Sequence, residues 1–123
     1  MRTHHSTCST RTAEPPDFSD ITSDVQASVE QSGVATGHVT VTCPSGAALV
    51  VNEVESGLVA DIKRVLERLK SDTSEGSNPR IGSASVVLPS EDGQLRLGTW
   101  QRILLVELER ACERTVTVQI VGE

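Results

Sequence analysis

The chain has 123 residues, a formal net charge of −6 and 37% apolar content, and its only aromatic residues are Phe18 and Trp100. This length fits one domain. The acidic balance and the scarcity of aromatic side chains on which bases could stack argue against nucleic-acid binding, and the sequence has no run of about 18 apolar residues that could span a membrane.

The three cysteines, Cys8, Cys43 and Cys112, are an odd number and lie far apart in the sequence. Their spacing predicts neither a disulfide framework nor a zinc ribbon. The first ten residues lack the apolar segment of a signal peptide. We therefore expect a cytoplasmic protein with reduced thiols.

The polar N-terminal residues 1–13 could form either a strand or a flexible tail. Pro15-Pro16 then marks a linker, because proline fits neither a helix interior nor a central strand. We assign residues 14–123 to a single domain.

The first helix is predicted over the segment SDVQASVEQSG. Ser23 and Gln26 are spaced as a capping box at its start, and Gly33 is well placed to end it. A second helix is predicted from Ser56 to Lys70. Its apolar residues fall on one stripe, which consists of Leu58, Ile62, Val65, Leu66 and Leu69.

Alternation in HVTVTC places Val39, Val41 and Cys43 on the inner face of a strand. The apolar run Ala47–Glu53 suits a strand that is buried on both faces and ends in two polar residues.

Further strands are predicted on either side of Asp92-Gly93, a strong hairpin signal, and over QRILLVELE and TVTVQIV, the last with Val116, Val118 and Ile120 facing inward. Strands outnumber helices and connections are short, so we predict an α+β fold: a mainly antiparallel sheet or sandwich with two main helices.

Few residues carry an obvious chemistry. His4 and His5 are adjacent and would point to opposite faces of a strand, and His38 begins another strand, so a metal site from them is disfavoured. Cys43 fits a core position better than a nucleophile, because no base is evidently placed beside it. A carboxylate at a strand end, such as Glu53 after Asn52, can meet a ligand or can simply cap the next helix.

Four stretches in order carry a family resemblance: Asp20–Val41, Ala47–Glu53, Val86–Glu109 and Arg114–Glu123. The third holds the most recognisable element, Leu-Gly-Thr-Trp-Gln. This pattern resembles the YjbQ family, a group of small proteins often labelled secondary thiamine-phosphate synthases. The resemblance implies an α+β homotrimer with a cleft near the strand ends at a subunit boundary, and a histidine metal site with an oxyanion beside it.

The sequence departs from the family pattern at those histidines. Pro44 occupies the position of the histidine in the family's His-Thr-Thr-Ala-Gly motif, and the loop Ser71–Ile81 has no histidine. The family's metal ligands therefore cannot be carried onto this chain, and we expect no metal and no cofactor.

The candidate site that remains has Glu53 as its acid or base, with Arg114 as an anion clamp. Gly98-Thr99-Trp100-Gln101 also admits a structural interpretation, in which Trp100 fills the core or a trimer seam and Gln101 satisfies backbone groups. The candidate ligand-binding residues are Ser45, Asn52, Thr99, Trp100, Gln101 and Arg114.

Three functions stay open. The first is a catalytically degenerate YjbQ-like homotrimer that keeps a small cleft for an anion or phosphorylated metabolite. The second is an active thiamine-phosphate synthase-like transferase that uses Glu53, Gln101 and Arg114. The third is a structural or interaction trimer. None of these involves nucleic acid or a membrane.

Overall fold

A computed structural model of the chain describes residues 1–44, 46–53, 56–71 and 82–123. Two helices are present in these ranges, α1 (Thr22–Ser32) and α2 (Ser56–Ser71). The strands are β1 (Arg2–Arg11), β2 (Asp17–Asp20), β3 (Gly37–Thr42), β4 (Ala47–Glu53), β5 (Ser85–Glu91), β6 (Gln94–Leu95), β7 (Gln101–Glu107) and β8 (Glu113–Gly122). The prediction of a strand-rich α+β fold with two helices is confirmed.

The strands form two antiparallel sheets. The large sheet has the order β1-β8-β3-β5-β6, and the small sheet has the order β2-β7-β4. Of the two alternatives for residues 1–13, the structure has the strand, since β1 pairs with β8 from Arg2 opposite Gly122 to Arg11 opposite Glu113.

The core lies where α1 and the inner faces of the two sheets meet. The inward positions predicted from alternation are buried in both β3 and β8, because side chains two apart on a strand share a face. These positions pack with residues of α1, β4 and β7 into one cluster, which includes Val25, Val29, Val39, Val41, Leu49, Ile103, Leu105, Val116, Val118 and Ile120.

The start of α1 differs from the prediction. Ile21 is the residue at the N-cap, and no side chain caps the helix, so the capping box of Ser23 and Gln26 is wrong. Asp20 instead accepts a hydrogen bond from the Thr22 N–H at 3.0 Å through Oδ1. The helix ends at Gly33, whose φ of 70° is left-handed, and this prediction is confirmed.

Gln26 misses the capping position because its amide bridges to the β5–β6 hairpin. Its Nε2 donates to the Gly93 carbonyl at 3.1 Å, and its Oε1 accepts from the Leu95 N–H at 2.9 Å. Asp92 and Gly93 both have positive φ, which confirms the predicted tight turn.

α2 confirms the second helix, but its apolar stripe is narrower than predicted. Leu66 is buried and Ile62 is half-buried, whereas Val65 is 57% exposed. The side chains of Leu58 and Leu69 lie outside the described part of the structure, as do residues 72–81 of the predicted polar loop. Within the described ranges, neither helix is long and apolar enough to cross a membrane.

The outer face of the small sheet carries a second apolar cluster. Lys63 of α2 places its ammonium 6.0 Å from the centre of the Phe18 ring, within the range of a cation–π contact. Phe18 packs in this cluster with Ala48, Val50, Val106 and Leu108.

Candidate functional site

The register of β4 against β7 brings several candidate residues together. Glu53 is opposite Gln101, and Asn52 is opposite Arg102. Glu53 is exposed and Asn52 is half-buried, so the end of β4 and the beginning of β7 present polar side chains at one edge of the small sheet. We call Asn52, Glu53, Thr99, Trp100 and Gln101 the strand-end group.

The turn before β7 is closed by Gln101. Its Oε1 accepts from the Gly98 N–H at 2.7 Å, and its own N–H donates to the Gly98 carbonyl at 3.0 Å. A Cβ at Gly98 would lie 2.9 Å from this same Oε1, closer than two such atoms normally approach. The interpretation in which Gln101 satisfies backbone groups is therefore confirmed, and the lack of a side chain at Gly98 leaves the space that this turn needs.

Trp100 does not fill the core of the chain. Its side chain is 74% exposed in the turn that leads into β7, so the alternative in which Trp100 fills the core is wrong. Trp100 precedes β7, so strand alternation does not direct its side chain towards the core. The trimer seam and a ligand contact remain as predictions for this indole.

Next to the strand-end group, an ion pair joins the end of β2 to β7, and a hydrogen bond joins the start of α1 to β7. Arg102 Nε donates to Asp20 Oδ2 at 2.7 Å, and Thr22 Oγ1 accepts from the Ile103 N–H at 2.8 Å. Burial by itself raises the pKa of Asp20, but hydrogen bonds from Thr22 and Arg102 outweigh it and lower that pKa. Asp20 is therefore held as a carboxylate beside Arg102.

A cleft of about 360 Å³ opens between α1 and the segment from β6 to β7. This volume is within the range of small-molecule sites. Sequence reasoning missed the cleft, because its walls come from parts of the chain that no motif links. Its lining consists of Thr22, Ser23, Gln26, Ala27, Glu30, Leu95, Leu97 and Arg102.

Arg114 lies at the other end of the small sheet, in a buried ion pair with Glu107. Nε donates to Glu107 Oε1 and Nη2 donates to Oε2, both at 2.8 Å. Glu107 is 0% exposed and Arg114 is 8% exposed. The fork of the guanidinium thus matches both carboxylate oxygens, the geometry that makes such pairs strong.

Further O–H and N–H donors satisfy the Glu107 carboxylate. Thr12 Oγ1 donates to Oε1 at 2.7 Å, and the backbone amides of Glu109 and Arg110 donate to Oε2 at 3.0 and 3.3 Å. Burial raises the pKa of Glu107, but the hydrogen bonds from Arg114, Thr12 and these amides lower it to about 2. Glu107 therefore cannot exchange a proton near neutral pH.

Sequence reasoning missed Glu107, although alternation held a signal for it. Glu107 is on the same face of β7 as the buried residues Ile103 and Leu105, and Arg114 is on the same face of β8 as Val116. When two consecutive strands of the chain each carry an inward residue of opposite charge, a buried ion pair is predicted, since an unpaired buried charge is costly.

Gly46 approaches the Glu107–Arg114 pair closely. Its φ is 92°, and a Cβ there would lie 2.7 Å from Arg114 Nη2 and would collide with Glu109 Oε2. Only glycine fits this position without a shift. Ser45, the preceding candidate, lies outside the described residues.

The candidates thus fall at two separate places. β4 runs from Ala47, beside Gly46, to Glu53, and seven residues of strand extend roughly 20 Å. Within one chain, the structure brings Glu53 next to Gln101 but does not bring Arg114 to either of them.

The residues around Gly46 do not fit a metal ion. Pro44 has no donor side chain, and the nearest guanidinium, that of Arg114, is a cation. Cys43 Sγ donates to the Ala47 carbonyl at 3.4 Å, and burial raises the pKa of this thiol, so it keeps its proton. Among the described residues, no three His, Cys, Asp or Glu side chains are grouped as metal ligands.

The sequence model of the family described as "UPF0047 protein YjbQ-like" matches residues 6–123. The chain belongs to the YjbQ family. Two curated members show how far the similarity of this YjbQ protein extends. The UPF0047 protein of Archaeoglobus fulgidus is 37% identical over 89% of this chain and 94% of its own length, and that of Methanothermobacter thermautotrophicus is 33% identical over 92% and 88%.

Solved structures share the fold of this YjbQ protein. A protein of unknown function from Sulfolobus solfataricus is 33% identical, with a TM-score of 0.88 over 99% of both chains. A hypothetical protein from Aeropyrum pernix is 32% identical, with a TM-score of 0.80 over the whole of both chains. Strand order and helix placement are therefore family properties.

Proposed function

We propose that this YjbQ-family protein binds a small anionic metabolite, such as a phosphorylated one, in the cleft between α1 and β7, without the family's metal-dependent step. One observation carries the proposal: Arg102 lines the cleft and also follows Gln101 in the Gly-Thr-Trp-Gln motif. The most recognisable motif of the family thus borders the cleft.

The chemistry of the lining supports a ligand with two kinds of polar group. Arg102 is the cation of the lining and favours an anionic group, while Glu30 favours a hydrogen-bond donor. Glu53, exposed opposite Gln101, is the candidate acid or base at this edge. The residues around Pro44 and Gly46 do not fit a metal ion, which supports the proposal that this protein does not carry out the family's metal-dependent reaction.

Arg114 enters this proposal as a structural residue. Arg114 is buried and donates to Glu107 through both Nε and Nη2, whereas Arg102 is half-buried and donates to Asp20 through Nε. Because β4 separates Arg114 from Glu53, the anion contact is better assigned to Arg102.

Titration calorimetry with inorganic phosphate, pyrophosphate and thiamine monophosphate tests this proposal. We expect at least one probe to bind, and Arg102→Gln to weaken binding about tenfold or more, as loss of a charged hydrogen bond does. Arg110→Gln is the matched control, because Arg110 is exposed and lies at the other end of β7. Equal affinity in wild type and Arg102→Gln would remove Arg102 from the site.

The alternative of an active thiamine-phosphate synthase-like transferase is favoured by the Glu53–Gln101 pair. Complementation of a strain without thiamine-phosphate synthase tests it. Rescue by the wild-type chain, lost in Glu53→Gln, is the expected result for this alternative, and well-expressed protein that gives no rescue contradicts it.

We also propose that the protein is a cytoplasmic homotrimer. The exposed indole of Trp100 supports assembly, since tryptophan side chains are enriched at protein interfaces. The three described cysteines are free thiols, which agrees with a reducing compartment. Sedimentation that shows only monomer would remove the trimer.

A further inference from the structure

One wall of the cleft between α1 and β7 is a stripe along the helix. Ser23, Ala27 and Glu30 line it and are spaced four and three residues apart, so their side chains share a face of α1. Thr22 and Gln26 complete this wall. The cleft therefore runs along α1 from its first turn to its last, and its two ends differ in charge.

The end of the cleft at the first turn of α1 is cationic. Arg102 lines this end, beside the hydrogen bond that Ile103 donates to Thr22. Its Nε donates to Asp20, and its side chain is 41% exposed. Within the described part of the chain, its terminal nitrogens Nη1 and Nη2 make no hydrogen bond. They can therefore donate to two oxygens of an anionic group.

The end of the cleft at the last turn of α1 is anionic. Glu30 is exposed there, and its Oε1 accepts from Gln26 Nε2 at 3.3 Å. Its other oxygen, Oε2, accepts no hydrogen bond from the described residues, so an ammonium group can donate to it. Glu30 follows Thr22 by eight residues, which is about 12 Å along a helix.

The middle of the cleft is apolar. Leu95 and Leu97 line it, are half-buried and pack against the main core cluster. Gln26 Oε1 accepts from the Leu95 N–H at 2.9 Å, which holds Leu95 beside the middle turn of α1. Among the lining residues that the structure describes, none is aromatic. An aliphatic segment therefore fits here better than a flat ring, which would have no ring to stack on.

We propose that the ligand of this cleft is a linear aminoalkyl phosphate. Its phosphate lies at Arg102, its aliphatic chain lies over the two leucines, and its ammonium group lies at Glu30. The inference rests on the proposed function and specifies the class of ligand. A ligand with a single charge leaves either Arg102 or Glu30 without a partner, so the cleft favours a ligand that carries both charges. The two protein side chains cover part of the distance of about 12 Å, so a six-carbon chain is long enough.

Titration calorimetry with 6-aminohexyl phosphate and hexyl phosphate tests the inference. We expect wild type to bind the amino compound at least about threefold more tightly, as a partly exposed charge pair contributes. Glu30→Gln keeps an acceptor for Gln26 and should abolish this preference. Glu67→Gln is the matched control and should retain it, because Glu67 is exposed on α2, which does not line the cleft.

A short probe tests the distance between the two ends. In 2-aminoethyl phosphate the ammonium group is too close to the phosphate to reach Glu30 while the phosphate is at Arg102. Its affinity should therefore be the same for wild type and Glu30→Gln. A loss of affinity in Glu30→Gln as large as that for 6-aminohexyl phosphate would overturn the assignment of the two groups to opposite ends.

Failure of this inference is distinguishable from failure of the proposed function. If wild type binds hexyl and 6-aminohexyl phosphate equally, and Arg102→Gln weakens both, the cleft binds an anion without selecting an amino group, which overturns the inference alone. A preference that persists in Glu30→Gln also overturns it. If neither these probes nor inorganic phosphate binds, or if Arg102→Gln binds them as wild type does, both proposals fail. Circular dichroism of each variant verifies that the subunit is folded.

Discussion

Glu53 and Gln101 are directly opposite each other across the β4–β7 ladder, at the edge of the small sheet where Trp100 is exposed. The Gln101 side chain is committed to the Gly98 N–H. Glu53 is therefore the member of this pair that can face a ligand, while Gln101 fixes the turn that presents Trp100. Because Glu53 and Gln101 are opposite each other, the Asn-Glu and Gly-Thr-Trp-Gln motifs lie side by side at the same end of the small sheet.

Removing the Glu107 charge should destabilise the subunit strongly. Glu107→Gln leaves Arg114 buried without its counter-ion, which typically costs about 3–5 kcal/mol. Urea unfolding measures the loss. The control is Glu109→Gln, an exposed neighbour, which should change the free energy of unfolding by less than about 1 kcal/mol. Similar values for the two variants would show that the buried pair contributes little.

The same pair predicts an acid dependence of stability. The pKa of Glu107 is lowered from 4.5 to about 2 in the folded chain, so the unfolded chain binds a proton first as the pH falls. The stabilisation is complete above pH 4.5 and is lost as the pH falls towards 2. Urea unfolding of wild type should weaken over this window more steeply than that of Glu107→Gln. Parallel pH profiles would contradict the assignment.

Gly46→Ala should destabilise the chain more than Gly93→Ala. Both glycines have positive φ, but a Cβ at Gly46 meets Arg114 and Glu109, whereas one at Gly93 meets nothing within 4 Å. Backbone strain alone costs about 1 kcal/mol, and steric conflict adds about 1–3 kcal/mol. Thermal unfolding of the two variants measures the difference, and equal losses would remove the steric contribution at Gly46.

Trp100→Ala should separate subunit stability from assembly. The side chain is 74% exposed, so its loss should change the free energy of subunit unfolding by less than about 0.5 kcal/mol. If Trp100 lies in the trimer seam, the variant trimer should dissociate into monomers at a higher protein concentration than the wild-type trimer does. In wild type, the fluorescence of this sole tryptophan should then shift to shorter wavelength on assembly. An emission spectrum that does not depend on concentration would place Trp100 outside the seam.

Local patterns were sufficient for most of the fold. Alternation predicted the inward residues of β3 and β8, and Asp92-Gly93 predicted the hairpin, because both signals depend only on neighbouring residues. The capping box failed at Gln26, whose amide reaches Gly93 and Leu95, about 70 residues further along the chain. Such long-range partners are invisible to a local pattern.

The site was predicted in part for the same reason. The motifs indicated Glu53 and Gln101, but only the register of β4 against β7 shows that they are opposite each other. Arg114 was assigned to an anion because its partner Glu107 was not considered. The cleft at Arg102 depends on how α1 docks on β7, and no sequence spacing encodes that.

The β1–β8 ladder also has a consequence for how the chain is made. The Thr12 N–H, just after β1, donates to the Cys112 carbonyl, just before β8, at 2.8 Å. This ladder therefore closes one of the longest loops available to the chain. Contacts of such separation slow folding. On the ribosome, β1 has no β8 partner until residues 113–122 have emerged, and during that interval it is an unpaired strand of the kind that is exposed to aggregation.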